Sequence, residues 1–218
     1  PLELFFKVES MYRSAIKEFS DTTRTNGCVS VILSENDARN VSTMHSIDLA
    51  VTSPPYINAY DYVRSLKFEN LWLGLADDAQ LRKNRKKYIG TEVSGSFYKT
   101  FNYASQSKTL TPLVEKISEV DNKRAGVVST YFEDMAINMM SVKKALKQNG
   151  RYVIVVGDSN IRGQEIPTAK ILTEIAEHNG FTFDLSFKYV IRDRYLHLPR
   201  GNRGGIIKYD EILVLKKD

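Results

Sequence analysis

Four consecutive residues, Ser53-Pro54-Pro55-Tyr56, carry the clearest chemical signal in the sequence. They combine a hydroxyl, carbonyl oxygens and an aromatic ring on a stretch that two proline rings make stiff. That set suits a flat, amino-bearing base, with acceptors for its N–H groups and a ring to stack on. The four residues follow Ile47-Asp48-Leu49-Ala50-Val51-Thr52, an apolar run that reads as a buried parallel strand. Two prolines lack the N–H groups a central strand needs, so the chain must leave the sheet there. The turn then sits at the carboxyl end of a strand, where open α/β sheets place their ligands.

The elements that must position this corner alternate strand with helix. Residues 1 to 19 space Leu2, Phe5, Phe6, Tyr12, Ile16 and Phe19 as an amphipathic helix, with a polar turn at 21 to 27. Val29 to Leu33 reads as a short strand. Residues 57 to 75 read as a helix, with Tyr62, Leu66, Leu71, Trp72 and Leu75 on one face. Residues 76 to 130 lack strand signals and read as an inserted helical region. From Tyr131 to Gln148 the spacing of Met135, Met139, Val142 and Leu146 predicts a helix stopped by Gly150, with the methionines as core filler. There follow a strand at 151 to 156, a loop at 157 to 167, a helix at 168 to 179 closed by Gly180, and a strand at 181 to 191. A basic loop at 192 to 205 leads to a last strand at 211 to 215, antiparallel to its predecessor. Alternation of this kind points to a doubly wound α/β sheet. The chain divides into a catalytic part at 1–75, a helical insertion at 76–130 that is the candidate target-recognition region, and the end of the sheet at 131–218.

Composition bounds the function. The 218 residues suffice for one domain with a real core, or one domain carrying a large insertion. The net charge of +5 suits a polyanionic partner without requiring one. One cysteine, Cys28, excludes an internal disulfide framework and a cysteine-based zinc site. The three histidines show no metal-ligand spacing, so no metal is assigned. The sequence holds no apolar stretch of membrane-spanning length and opens on no leader pattern, and a reducing cytoplasm is the expected compartment. Two basic clusters are candidates for DNA phosphate contact: Arg82, Lys83, Arg85, Lys86 and Lys87 in the insertion, and Arg192, Arg194, Arg200 and Arg203 in the late loop with Tyr195 and His197. For each, the alternative is an ordinary solvated surface.

The strand and corner resemble the catalytic motif of amino-group DNA methyltransferases, and Ser-Pro-Pro-Tyr resembles its cytosine-N4 branch. Glu35-Asn36-Asp37-Ala38-Arg39 is similar to that family's segment after the third strand, whose acidic residue reaches the adenine of S-adenosylmethionine. Asn36 stands where the family has glycine. Residues 53 to 62 and 151 to 167 also resemble one group of restriction-modification methylases, in the same order. The resemblance implies a Rossmann-like class I methyltransferase sheet and S-adenosyl-L-methionine as cofactor, with Asp37, Ala38 and Ser53 beside it. It implies duplex DNA as substrate, Ser53 and the Pro54 carbonyl as acceptors for an exocyclic amine, and Tyr56 stacking on a flipped base.

One departure stands out. The family's glycine-rich cofactor turn has no counterpart, since no glycine precedes Gly27. In the family's sheet the first two strands lie between the third and fourth. The expectation is therefore an incomplete sheet whose missing strands come from a second polypeptide or from the excised half of a nicked chain. Adenine-N6 methylation, or a non-catalytic DNA-binding module with the same fold, stand as alternatives. Asp158 either faces the target pocket or caps its loop.

Overall fold

The structure is a computed structural model that describes residues 2–26, 37–41, 45–57, 61–92, 107–191 and 209–218. The expected strand at Val29 to Leu33, Cys28 and the loop holding Arg192, Arg194, Arg200 and Arg203 lie outside them. So do Glu35, Asn36, Tyr60 and Gly95. The chain forms two units, residues 1–35 and 36–218. The first contains helix α1, Leu2–Asn26, in which Arg13 pairs with Glu9 one turn before it at 2.7 Å. Residues 21 to 26, expected as a turn, continue the helix.

The second unit is built on a four-stranded mixed sheet. Its strands are β1 (Ile47–Thr52), β2 (Leu146–Gly157), β5 (Phe181–Val190) and β6 (Tyr209–Lys217), in the order β1-β2-β6-β5. β1 and β2 are parallel and the other pairs antiparallel. Regular β1–β2 pairing begins at Arg151, after a bulge at residues 147 to 150. Asn149 turns there with φ 63°, and a Cβ on Gly150 would stand 2.9 Å from the Lys147 carbonyl. The helix expected to reach Gln148 and stop at Gly150 instead ends at Ala145, and the extended backbone of Leu146 leads straight into β2.

Helices α6 (Asn122–Ala145) and α7 (Thr168–His178) carry the core. α6 starts nine residues earlier than the spacing from Tyr131 suggests. The side chain of Asp121 accepts from the Arg124 N–H and caps it there. Phe132, Met135, Met139, Ile171, Leu172 and Ile175 pack in one cluster with Tyr152, Ile154, Leu213 and Leu215 of the sheet, which confirms Met135 and Met139 as core. The buried Nζ of Lys217 donates to the Lys143 and Leu146 carbonyls at 2.7 Å, placing a cation at the end of α6.

Residues opposite each other in the register share a face. Val51, Val153, Val214 and Leu185 form one row, and Val155, Ile212 and Phe187 the next. This face is the one turned away from the core cluster. Val51, Leu185, Phe187 and Tyr189 on it are exposed, Val51 by 64%. Among the described residues β1 has no partner on its outer edge.

Two expectations need correction. Residues 157 to 167 are not a plain loop but contain a hairpin, β3 (Ser159–Ile161) with β4 (Gln164–Ile166). Its two turn residues, Arg162 and Gly163, both have positive φ, the geometry a tight hairpin requires. Nor do residues 57 to 75 form one helix. They hold two short pieces, α2 (Tyr62–Ser65) and α3 (Lys67–Trp72), and Tyr62, Leu66, Leu71, Trp72 and Leu75 are all exposed. Apolar spacing there marks an uncovered surface instead of a core face.

The region after these pieces contains α4 (Asp78–Asn84) and α5 (Leu110–Val120). A reciprocal capping box of Asp77 and Gln80 starts α4. Glu174 of α7 anchors the start of α5 by accepting from Ser107 and Thr109.

Candidate active site

The chain leaves β1 at Thr52 and enters the proline corner at the carboxyl end of the strand, as the strand-breaking argument requires. Ser53 is exposed, Pro54 is buried, and Pro55 and Tyr56 are half-buried. The corner is therefore anchored at Pro54 while Ser53 is open to solvent.

Tyr56 is held at its far end. Its hydroxyl donates to Asp210 Oδ1 at 2.6 Å. Asp210 lies opposite Gly157 and Tyr189 in the register, at the carboxyl end of β2. Burial, then the hydrogen bond and charge of Asp210, push the Tyr56 phenol well above its ordinary range. The phenol stays protonated and its hydrogen is committed to Asp210. The ring is thus the part of Tyr56 available to a ligand.

Gly90 supports the corner from the side. It sits at φ +82°, and a Cβ there would lie 3.3 Å from Pro55 Cβ and 3.7 Å from the Tyr131 ring. Only a residue without a side chain permits that approach in that conformation. Tyr131 is fully buried beneath, and its hydroxyl has no hydrogen-bond partner among the described residues.

Asp37 and Ala38 are fixed by a separate network. Both oxygens of Asp37 accept from the Arg39 guanidinium, the closest at 2.6 Å, and Oδ1 also accepts from the Arg39 backbone N–H. The Arg39 side chain holds the Asp37 carboxyl below its usual range, so it is ionised, and half its side-chain surface remains open. Arg39 also pairs with Asp134 of α6 at 2.9 Å and donates to the Lys87 carbonyl at 2.6 Å. Asn138 of α6 donates to the Ala38 carbonyl and accepts from the Tyr152 hydroxyl, both at 2.6 Å. The Asp37 segment and the proline corner therefore meet opposite ends of one short stretch, residues 87 to 90. None of Asp210, Gly90, Asn138 or Arg39 was singled out from the sequence as a site residue. Asp210, Gly90 and Asn138 act through partners distant in the chain, which no local motif records, and Arg39 adds to its neighbour Asp37 the distant Asp134 and Lys87.

The remaining candidates separate. Asp158 accepts from the Thr168 N–H at 2.9 Å and so caps the start of α7. Burial pushes its carboxyl up from the usual range. Arg82, Lys83, Lys86 and Lys87 are exposed, while Arg85 turns inward to pair with Asp61 at 2.6 Å. Among the described residues no helix is long and apolar enough to cross a membrane.

No family model matches the chain. It is 24% identical over 193 residues to a type II methyltransferase, M.BsoBI, of Geobacillus stearothermophilus, covering 76% of this chain and 38% of that protein. It is 30% identical over 152 residues to another, M.AvaI, of Nostoc sp. strain PCC 7120, covering 63% of this chain and 31% of that protein. The chain thus spans about a third of the length of these curated relatives. Among solved structures, it aligns with a protein of Thermus thermophilus designated a DNA modification methylase, crystallised with S-adenosyl-L-methionine. That alignment has a TM-score of 0.42 and 16% identity, covering 83% of this chain and 53% of the other.

Proposed function

We propose that this chain is the catalytic and target-recognition part of a DNA methyltransferase, transferring a methyl group from S-adenosyl-L-methionine to the N4 amine of cytosine in duplex DNA. The observation that carries the reading is the proline corner at the end of β1, with Ser53 exposed and the Tyr56 ring fixed by Asp210. The similarity to type II methyltransferases over most of the chain supports it.

The chemistry follows from these residues. An exocyclic amine is a weak nucleophile because its lone pair is shared with the ring. The Ser53 hydroxyl and the Pro54 carbonyl accept from its N–H groups and favour a more tetrahedral nitrogen. Tyr56 stacks on the base, which must leave the duplex to reach the corner. With its phenol protonated and hydrogen-bonded to Asp210, Tyr56 is not the base that removes a proton from the amine. Holding the amine in line supplies much of the rate.

The cofactor fits part of what is present. Asp37 offers an ionised, half-open carboxylate suited to accepting from the adenosine part of S-adenosyl-L-methionine. When bound, the cofactor supplies a methyl group already activated on sulfonium sulfur. The methionine part needs a glycine-rich turn that this sequence lacks. Protein outside these residues, either a second polypeptide or the excised half of a nicked chain, supplies that turn and the strands to pair with the outer edge of β1, which has no partner among the described residues.

The test is transfer of labelled methyl to duplex DNA, by the chain alone and then with a candidate partner, followed by nucleoside analysis. Labelled N4-methylcytosine is expected from the complex. N6-methyladenine would move the reading to the adenine branch, and an inactive complex would leave a DNA-binding module. Full cofactor affinity in the lone chain would refute the partner.

A further inference from the structure

Beyond the proline corner, the short helices line an open cavity of about 340 Å3. Arg64 of α2, Lys67 of α3, Arg82 of α4 and Arg85 just after it line this cavity, with Leu81 as part of its apolar wall. A single carboxylate lines it as well. Asp78 accepts from Lys67 Nζ and from Arg82 Nη2, each at 2.5 Å. Arg85 finds its counter-charge in Asp61. Arg64 has no ion-pair partner among the described residues. Four cations thus share one carboxylate inside the cavity and one beside it, a surplus that a further anion would relieve.

We propose that this cavity seats one backbone phosphate of the DNA. The inference rests on the methyltransferase reading and adds to it the place where the strand is pinned. An extended polyanion is a better match than a lone ion because Lys83, Lys86 and Lys87 continue the positive surface outside the cavity. The location also matters. The same stretch of chain runs from Arg85 to Gly90, which packs on Pro55 of the corner. A phosphate held here fixes the strand relative to Ser53 and Tyr56. Phosphate contacts set register in this way without reading sequence.

The experiment measures binding of the chain to a short duplex across a range of salt concentrations. The variant Arg64→Gln with Lys67→Gln is expected to weaken binding equally on unrelated sequences. Its slope of log affinity against log salt should fall by about one. Asp78→Asn is expected to tighten binding, because it removes the competing carboxylate. Lys147→Ala removes one charge at the amino end of β2, against Asp48, and is expected to leave the slope unchanged. Circular dichroism melting establishes that each variant folds. If the Arg64 and Lys67 variant binds as the wild type does, or Lys147→Ala costs as much, the cavity is not a phosphate site although the methyltransferase reading stands. If the wild type, alone and with the partner that completes its sheet, has no salt-dependent affinity for duplex at all, the methyltransferase reading itself fails.

Discussion

The hydroxyl of Tyr56 donates to Asp210 across 2.6 Å, joining residues 154 positions apart. That bond divides the work of the tyrosine between an anchored end and a free ring. Tyr56→Phe keeps the ring and loses the anchor, so methylation should fall only a few-fold. Tyr56→Ala loses the stacking surface, worth about 1–3 kcal/mol, and turnover should fall roughly 5- to 150-fold. Steady-state methylation of duplex DNA separates the two. Equal losses would show that the ring is not the working part.

The same bond fixes a sign in the pH profile. The folded-state pKa of the phenol is raised, so its contribution to stability is complete below the unfolded value of about 10 and fades only as pH climbs through the higher folded one. An alkaline limb near neutrality should therefore survive in Tyr56→Phe, as a pH–rate comparison of the two proteins would reveal.

A methyl group on Gly90 would crowd Pro55 Cβ at 3.3 Å, and the residue sits in a backbone region that other residues avoid. Gly90→Ala should cost about 1–3 kcal/mol in urea unfolding. It should also lower turnover by displacing Pro55, whereas Gly74→Ala, with open space around it, should cost stability from backbone strain but leave turnover intact.

Tyr131 buries a hydroxyl beneath the corner, with no partner among the described residues. Tyr131→Phe removes that group while keeping the ring, and should stabilise the protein by about 1–3 kcal/mol. Chemical denaturation of the two proteins side by side checks this. A loss of stability would mean that the hydroxyl does find a partner in solution.

Asp121 caps α6 and pairs with Arg162. Its carboxyl is held below the usual range, first by the Arg124 N–H and then by Arg162. Its contribution is present above the unfolded value of about 4 and is lost as pH falls through the lower folded one. Asp121→Ala should cost about 1 kcal/mol at neutral pH, and the difference from wild type should shrink in acid, as melts at several pH values would show.

The corner was legible because its signal is local: a strand pattern followed by residues that cannot continue a strand. The antiparallel final strands and the helix closed by Gly180 were legible for the same reason. The β3–β4 hairpin was not, since Arg162-Gly163 lacks the usual asparagine or aspartate before the glycine. The broken helix after the corner misled through its apolar spacing, which looks the same whether a face is buried or bare. Asn138, which links Ala38 to Tyr152, is an ordinary polar residue until the fold brings both to it.

The meeting of Gly90 and Pro55 constrains anyone who would exchange specificities between such proteins. The module bearing the basic residues cannot be grafted at will onto a foreign corner. A transplanted segment must bring its own bare backbone to that point, or the donor loop will prise the acceptor's prolines out of place before any DNA arrives.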